Sequence, residues 1–133
     1  MIVLDASVVV ELLLDTQTGD AVARRIADPA LALHVPHLLD VEVAQALRRA
    51  VREGEIDDVD AVAAIEVLHG LGLHRHSHEP LLDRMWQLRQ NLSAYDAAYV
   101  ALAEALDAKL LTCDARLKRA PGAAHRVELV ART

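Results

Sequence analysis

The stretch Ile2-Val3-Leu4-Asp5-Ala6-Ser7, running on into Val8 to Leu14, decides how the rest of the chain is read. Three apolar, largely β-branched residues predict a short strand, Asp5-Ala6-Ser7 a tight turn, and Val8 to Leu14 a helix. The same alternation then recurs. Gly19 to Asp28 carries Ala21, Val22 and Ile26 at helical spacing and stops before Pro29; Leu31 to Val35 is a second strand, closed by Pro36. A long helix is expected from His37 to Glu53, with Leu39, Val43, Ala46, Leu47 and Ala50 on one face and Gly54 as its stop. Ile56 to Leu68 follows as a helix behind the acidic start Asp57-Asp58, which suits a helix N-terminus. Leu73 to Ser77 is a weak third strand, Pro80 to Asn91 a helix, and Ser93 the cap of another running to about Asp107. Lys109 to Thr112 is a clear strand, Arg116 to Arg119 a short helix, and Val127 to Val130 a last strand. Strands alternating with helices imply an α/β fold with a mainly parallel sheet covered on both faces. No repeat, linker or low-complexity segment interrupts it, so residues 1–133 form a single domain.

Composition narrows the function classes. With 53% hydrophobic and 26% charged residues the chain is globular and large enough for a core. Phe is absent, and Trp86, Tyr95 and Tyr99 are the only aromatics, which argues against proteins that bind single strands on aromatic platforms. The net charge of −6 lacks the basic footprint of a nucleic-acid binder, unless the acids cluster around a bound divalent ion. A lone cysteine, Cys113, cannot form an internal disulfide and suits a reducing compartment. With no signal sequence and no apolar run near the ~20 residues that span a bilayer, a cytoplasmic protein without a membrane anchor is expected.

In open parallel sheets, ligand sites form where the carboxyl ends of strands meet helix N-termini. Asp5 follows the first strand, Asp114 follows the Lys109–Thr112 strand, and Asp96 lies in the first turn of the helix opened by Ser93. Each has an ordinary explanation as a helix cap. Glu42 is different: flanked by Val41 and Val43, it falls at the border between the apolar stripe and the face of Arg48, Arg49 and Arg52. A half-desolvated acid there needs a positive partner, either Arg49 or a metal ion. Asp5, Glu42, Asp96 and Asp114 together offer the oxygen donors that Mg²⁺ or Mn²⁺ prefers, chemistry suited to phosphodiesters. Ser7 and Thr112 each lie two residues from one of these acids, where a hydroxyl orients a carboxylate or water, or simply caps.

Asp5-Ala6-Ser7, Glu42 after Pro36, Leu-Ser-Ala-Tyr-Asp at 92–96 and Leu-Thr-Cys-Asp at 111–114 resemble, in order and spacing, the PIN domain. A stand-alone domain of this length is similar to the VapC toxins of bacterial toxin–antitoxin pairs. The resemblance implies a three-layer α/β/α sandwich and a Mg²⁺- or Mn²⁺-dependent endoribonuclease acting on structured RNA such as tRNA or ribosomal RNA. It further implies a homodimer and a VapB-like antitoxin that blocks the site. Carried over by position, Asp5, Glu42, Asp96 and Asp114 are the acidic quartet and Thr112 the hydroxyl beside the last acid. In-line attack by water is inferred, leaving a 5′-phosphate and a 3′-hydroxyl, because no His lies near the acids in sequence to activate a 2′-hydroxyl. Arg116, Lys118 and Arg119 are the candidates for contact with RNA phosphates, or else a solvated helix face.

Other features are weighed beside these. His74, His76 and His78 share one strand face, a conceivable Zn or Ni site but by default a polar edge. Asp40 has no assigned role, Cys113 is expected to pack, and the helices from Val8 to Ala27 offer either a partner groove or core-facing surfaces. A haloacid-dehalogenase-type phosphatase needs an Asp where Ser7 stands. A receiver-like Mg²⁺-binding signalling domain needs an acidic pair after the first strand and a Lys after the last, and neither is present. A binding module that kept the fold without catalysis is the remaining alternative.

Overall fold

The computed structural model describes residues 1–133. Strand β1 (Ile2–Leu4) is completely buried and leads through Asp5 into α1 (Ala6–Leu13) and α2 (Gln17–Arg25). Then come β2 (Leu33–Pro36), α3 (Leu38–Arg52), α4 (Asp58–Gly70) and β3 (His74–His76). A short α5 (Leu82–Gln87), the long α6 (Ala94–Leu106), β4 (Lys109–Thr112), α7 (Ala115–Arg119) and β5 (Val127–Leu129) complete the order. All five strands are parallel, in the order β3-β2-β1-β4-β5. Helices cover both sheet faces, giving three α/β/α layers: α1 packs on α2, α3 and α4, whereas α6 packs on α5 and across β1, β2 and β4.

Burial explains the strand choice. Ile2, Val3 and Leu4 have no exposed face, and neither do Leu110 and Leu111, so β1 and the middle of its neighbour β4 are apolar on both faces. Leu4 pairs with Leu111, which brings the next residues, Asp5 and Thr112, to the same rim of the sheet. The site is therefore placed by the register of β1 on β4.

Several boundaries depart from the sequence reading. Helix α2 starts at Gln17, because the Thr16 hydroxyl accepts the Gly19 N–H at 2.9 Å and caps it. Gly19 lies inside the helix where α2 crosses α1; a Cβ there would stand 2.2 Å from the Glu11 carbonyl oxygen. Leu31 is in a turn, bonded to the Asp28 carbonyl, and β2 runs instead to Pro36. The expected Pro80–Asn91 helix is broken: Glu79–Leu81 is a 3₁₀ turn, and after Gln87 the chain tightens into three-residue bonds such as Asn91 to Leu88. In α4, Asp57 is the cap itself and forms a reciprocal capping box with Asp60. The helices from Val8 to Ala27 turn Val8, Val9 and Val22 into the core. No helix is long and apolar enough to cross a membrane.

Candidate active site

Asp5 sits at the N-cap position of α1, yet its carboxylate makes no capping bond. Its Oδ2 instead accepts two hydroxyl protons, from Ser7 at 2.7 Å and from Thr112 at 2.6 Å. The Ser7 oxygen also accepts the Cys113 N–H at 2.9 Å, and the Thr112 oxygen accepts the Asp114 N–H at 3.0 Å. The buried carboxylate is thus fixed by neutral donors from two strand exits, and Oδ1 is left without a protein donor. The ordinary capping explanation fails for Asp5.

Glu42 projects from α3 and is half-buried. Its partner is not Arg49, which makes no ion pair, but the Tyr99 hydroxyl of α6, which donates to Oε1 at 2.5 Å. Tyr99 is almost wholly buried, and burial followed by the Glu42 charge holds its phenol far above the usual range, so it remains a donor. Burial pushes Glu42 above the usual carboxylate range; Tyr99 opposes this, and the charges of Asp5 and Asp96 add to it. Asp96, also half-buried, is pushed upward by burial first and then by Asp5, with Arg116 pulling the other way. Ser93 caps its helix by accepting the Asp96 N–H at 3.1 Å. Asp114 does cap α7, accepting the Arg116 N–H at 2.9 Å, and the Arg116 guanidinium, 2.6 Å from Oδ2, holds it below the usual range.

All four acids line one open cleft of about 530 Å³, together with Ser7, Arg49, Arg116 and Arg132. No three of the molecule's His, Cys, Asp or Glu side chains stand in ligand-ready geometry around one point, and Asp114 is turned onto Arg116. The cleft is a convergence of carboxylates and not a closed ion cage. Its chemistry nonetheless fits a hard divalent cation: Asp5, Glu42 and Asp96 form no ion pair, their charges oppose one another, and every donor is oxygen. For Asp114 to join such a set, the Arg116 pair must open.

The remaining predicted residues take other roles. Lys118 donates to the carbonyls of Val127 at 2.8 Å and Ala124 at 3.3 Å, so it ties α7 to β5. Arg119 is exposed and makes no hydrogen bond through its side chain, whereas Arg116 belongs to the cleft. Asp40 is paired with Arg75 at 2.7 and 3.0 Å. The histidines fasten the far edge of the sheet: His34 Nδ1 lies 2.8 Å from His76 Nε2, His74 stacks on His34, and His78 accepts the Leu38 N–H. Burial, then the neighbouring imidazoles, holds His34 below its ordinary value. Cys113 is buried, and burial pushes its thiol up. Sequence reasoning missed Tyr99 and Arg132, and offered Arg49 only as an ion-pair partner for Glu42, a pair that does not form. Tyr99 had a signal, since a hydroxyl in the Ala-, Val- and Leu-rich body of α6 requires a buried partner.

The model of the PIN domain matches residues 2–123. The chain belongs to the PIN-domain family. This PIN domain is 46% identical over 129 residues to Ribonuclease VapC1 of Mycobacterium tuberculosis, covering 96% of each chain. To Ribonuclease VapC12 of the same organism it is 44% identical over 131 residues, covering 98% of this chain and all of that one. Among solved structures, PAE2754 from Pyrobaculum aerophilum shares the fold with a TM-score of 0.65 at 24% identity, over 92% of this chain and 81% of that one. VapBC2 from Rickettsia felis, bound to a DNA fragment from their promoter, superposes with a TM-score of 0.64 at 14% identity, over 97% and 98%.

Proposed function

We propose that this PIN domain is a Mg²⁺- or Mn²⁺-dependent endoribonuclease, the toxin of a toxin–antitoxin pair, acting on structured RNA such as tRNA or ribosomal RNA. The observation that carries the reading is the gathering of Asp5, Glu42 and Asp96, none of them ion-paired, on one cleft at the exits of β1 and β4. Relatives named ribonucleases, aligned over nearly the full chain, support it. A VapB-like antitoxin partner and a homodimeric assembly belong to the same reading.

Asp5, Glu42, Asp96 and Asp114 would hold the ion. When bound, it supplies positive charge to the scissile phosphate and makes water more acidic. Ser7 and Thr112 direct both of their protons to Oδ2 of Asp5, which leaves Oδ1 without a protein donor and so available as a ligand atom. Tyr99 does the same for Glu42, engaging Oε1 and leaving Oε2. Arg49, which forms no ion pair, is the wall residue free to meet a phosphate oxygen; Arg116 and Arg132 join it only when their pairs with Asp114 and Glu11 open. No histidine lines the cleft, so attack by water is favoured over attack by a neighbouring 2′-hydroxyl.

The test is cleavage of total RNA by the purified chain. Cleavage should stop with EDTA, return with Mg²⁺ or Mn²⁺, and leave 5′-phosphate ends. Asp5→Asn and Asp96→Asn should each abolish it while keeping the wild-type circular dichroism spectrum. Chelator-resistant activity, or near wild-type rates in both variants, would remove the metal assignment.

A further inference from the structure

Helix α3 carries two stripes. Leu39, Val43, Leu47 and Ala50 are buried in the core. Leu38, Val41, Glu42, Gln45, Ala46 and Arg49, spaced by three and four residues, line a second surface: one wall of an open groove of about 510 Å³. Val10 of α1 and Tyr95 of α6 make the other walls. Val41 is 67% exposed and Tyr95 62% exposed, so two large apolar side chains face water beside the acids. The groove is continuous with the acid cleft, because Ala6, Ser7, Glu42, Arg49 and Arg132 line both.

Three chemistries meet there. Tyr95, the residue before Asp96, offers an exposed aromatic face. Arg49 is a guanidinium with no ion-pair partner, at the junction of groove and cleft; the second cation there, Arg132, is paired with Glu11. Gln45 bears an exposed amide whose side chain makes no hydrogen bond. An aromatic face, a phosphate-seeking cation and an amide able to pair with a base edge are the elements that recognise an unstacked nucleotide. A peptide segment would meet the guanidinium and amide with its own carbonyls or carboxylates but leave the Tyr95 ring without a flat partner, so a protein occupant is an outcome that the binding experiment separates. The volume lies in the range of about 300–1,000 Å³ typical of small-ligand sites.

We propose that this groove receives the nucleotide adjoining the scissile phosphate, its base against Tyr95 and Gln45 and its phosphate on Arg49. The proposal rests on the nuclease reading and adds to it a recognition site for one unstacked base, which needs one aromatic face and not the multi-aromatic platform this composition lacks, and which sets where the RNA is cut.

The experiment uses the full chain carrying Asp5→Asn, which binds without cutting, and a fluorescein-labelled single-stranded RNA of mixed sequence, read by fluorescence anisotropy over a salt series. Adding Tyr95→Ala should weaken binding about tenfold, the scale of losing one base stack, while Tyr95→Phe keeps it. Adding Arg49→Gln should weaken binding and reduce the slope of log affinity against log salt by about one. In the otherwise wild-type enzyme, Tyr95→Ala should raise KM and change the mapped cleavage positions with kcat retained. Affinities within twofold of the parent for both substitutions, with unchanged cleavage positions, would overturn the groove assignment. Loss of binding to a protein partner without loss of RNA binding would overturn it too. Wild-type, metal-dependent cleavage scored in the same series separates the two readings: if it persists, only the groove proposal has failed.

Discussion

Replacing Tyr99 by Phe removes one atom from the core and isolates what holds Glu42. The ring is almost wholly buried and keeps its packing, so the change is the loss of one short bond to Glu42 Oε1. A hydrogen bond to a charged acceptor contributes about 1.5–3 kcal/mol, and one between neutral groups about 0.5–1.5. Glu42 is only half-buried, so water replaces part of the lost donor and a destabilisation of roughly 1–2 kcal/mol is expected near neutral pH. For a domain of this size that lowers the thermal midpoint by roughly 4–8 °C. The pH dependence gives the sharper test. Tyr99 pulls Glu42 down against burial and the charges of Asp5 and Asp96, so the phenylalanine variant lets Glu42 climb further. The stability gap between wild type and variant is then full where Glu42 is ionised and shrinks as acid protonates it. Thermal scans in EDTA at neutral pH and near the ordinary carboxylate range read this directly, and the acid limb of RNA cleavage should move to higher pH. Equal midpoints at neutral pH, or a gap that widens on acidification, would refute the assignment of Tyr99 as the donor to an ionised Glu42.

Asp96→Asn should match the wild type in EDTA at acid pH and exceed it in thermal midpoint near neutrality. The folded-state pKa of Asp96 lies above its unfolded value, so ionisation on raising the pH through that window destabilises the fold. A variant no more stable than wild type at neutral pH would contradict this. Saturating Mg²⁺ should stabilise the wild type near neutrality, by ~2.7 kcal/mol at a hundredfold excess over Kd, and leave Asp96→Asn unmoved in the same scans. Gly19→Ala should destabilise by about 2–3 kcal/mol in urea titration, since the added methyl meets backbone carbonyl oxygen and no flexible side chain can yield. Lys118→Gln should lower stability by about 1 kcal/mol and leave RNA cleavage intact, because its two acceptors are carbonyls of the same chain.

The strand sequence was legible because apolar runs such as Ile2–Leu4 and Leu110–Leu111 lie at the middle of the sheet, where burial on both faces removes any polar alternation. Boundaries set by side-chain caps and local turns were harder. Thr16 accepts a backbone proton three residues on, and nothing in a periodicity count registers that. The approach of Asp5, Asp96 and Asp114 to one cleft was legible because strand exits and a helix start define a common rim, and Glu42 stood out as an acid at the border of an apolar helix stripe. What each acid touches was not. Glu42 could be given an Arg49 partner by helical spacing, whereas Tyr99 reaches it from another helix 57 residues away. Arg116 and Lys118 looked equivalent in a basic run, yet one faces the cleft and the other fastens β5.

The hydroxyl junction between Asp5 and Thr112 joins positions 107 residues apart, and the strand that brings Thr112 there is synthesised after β1, β2 and β3. A nascent chain that has not passed Asp114 has β1 without its β4 neighbour and Asp5 with one of its two proton donors missing. The rim where the acids meet therefore comes into being only after β4 has been made, and the ribosome making this polypeptide is not exposed to the assembled cleft until then.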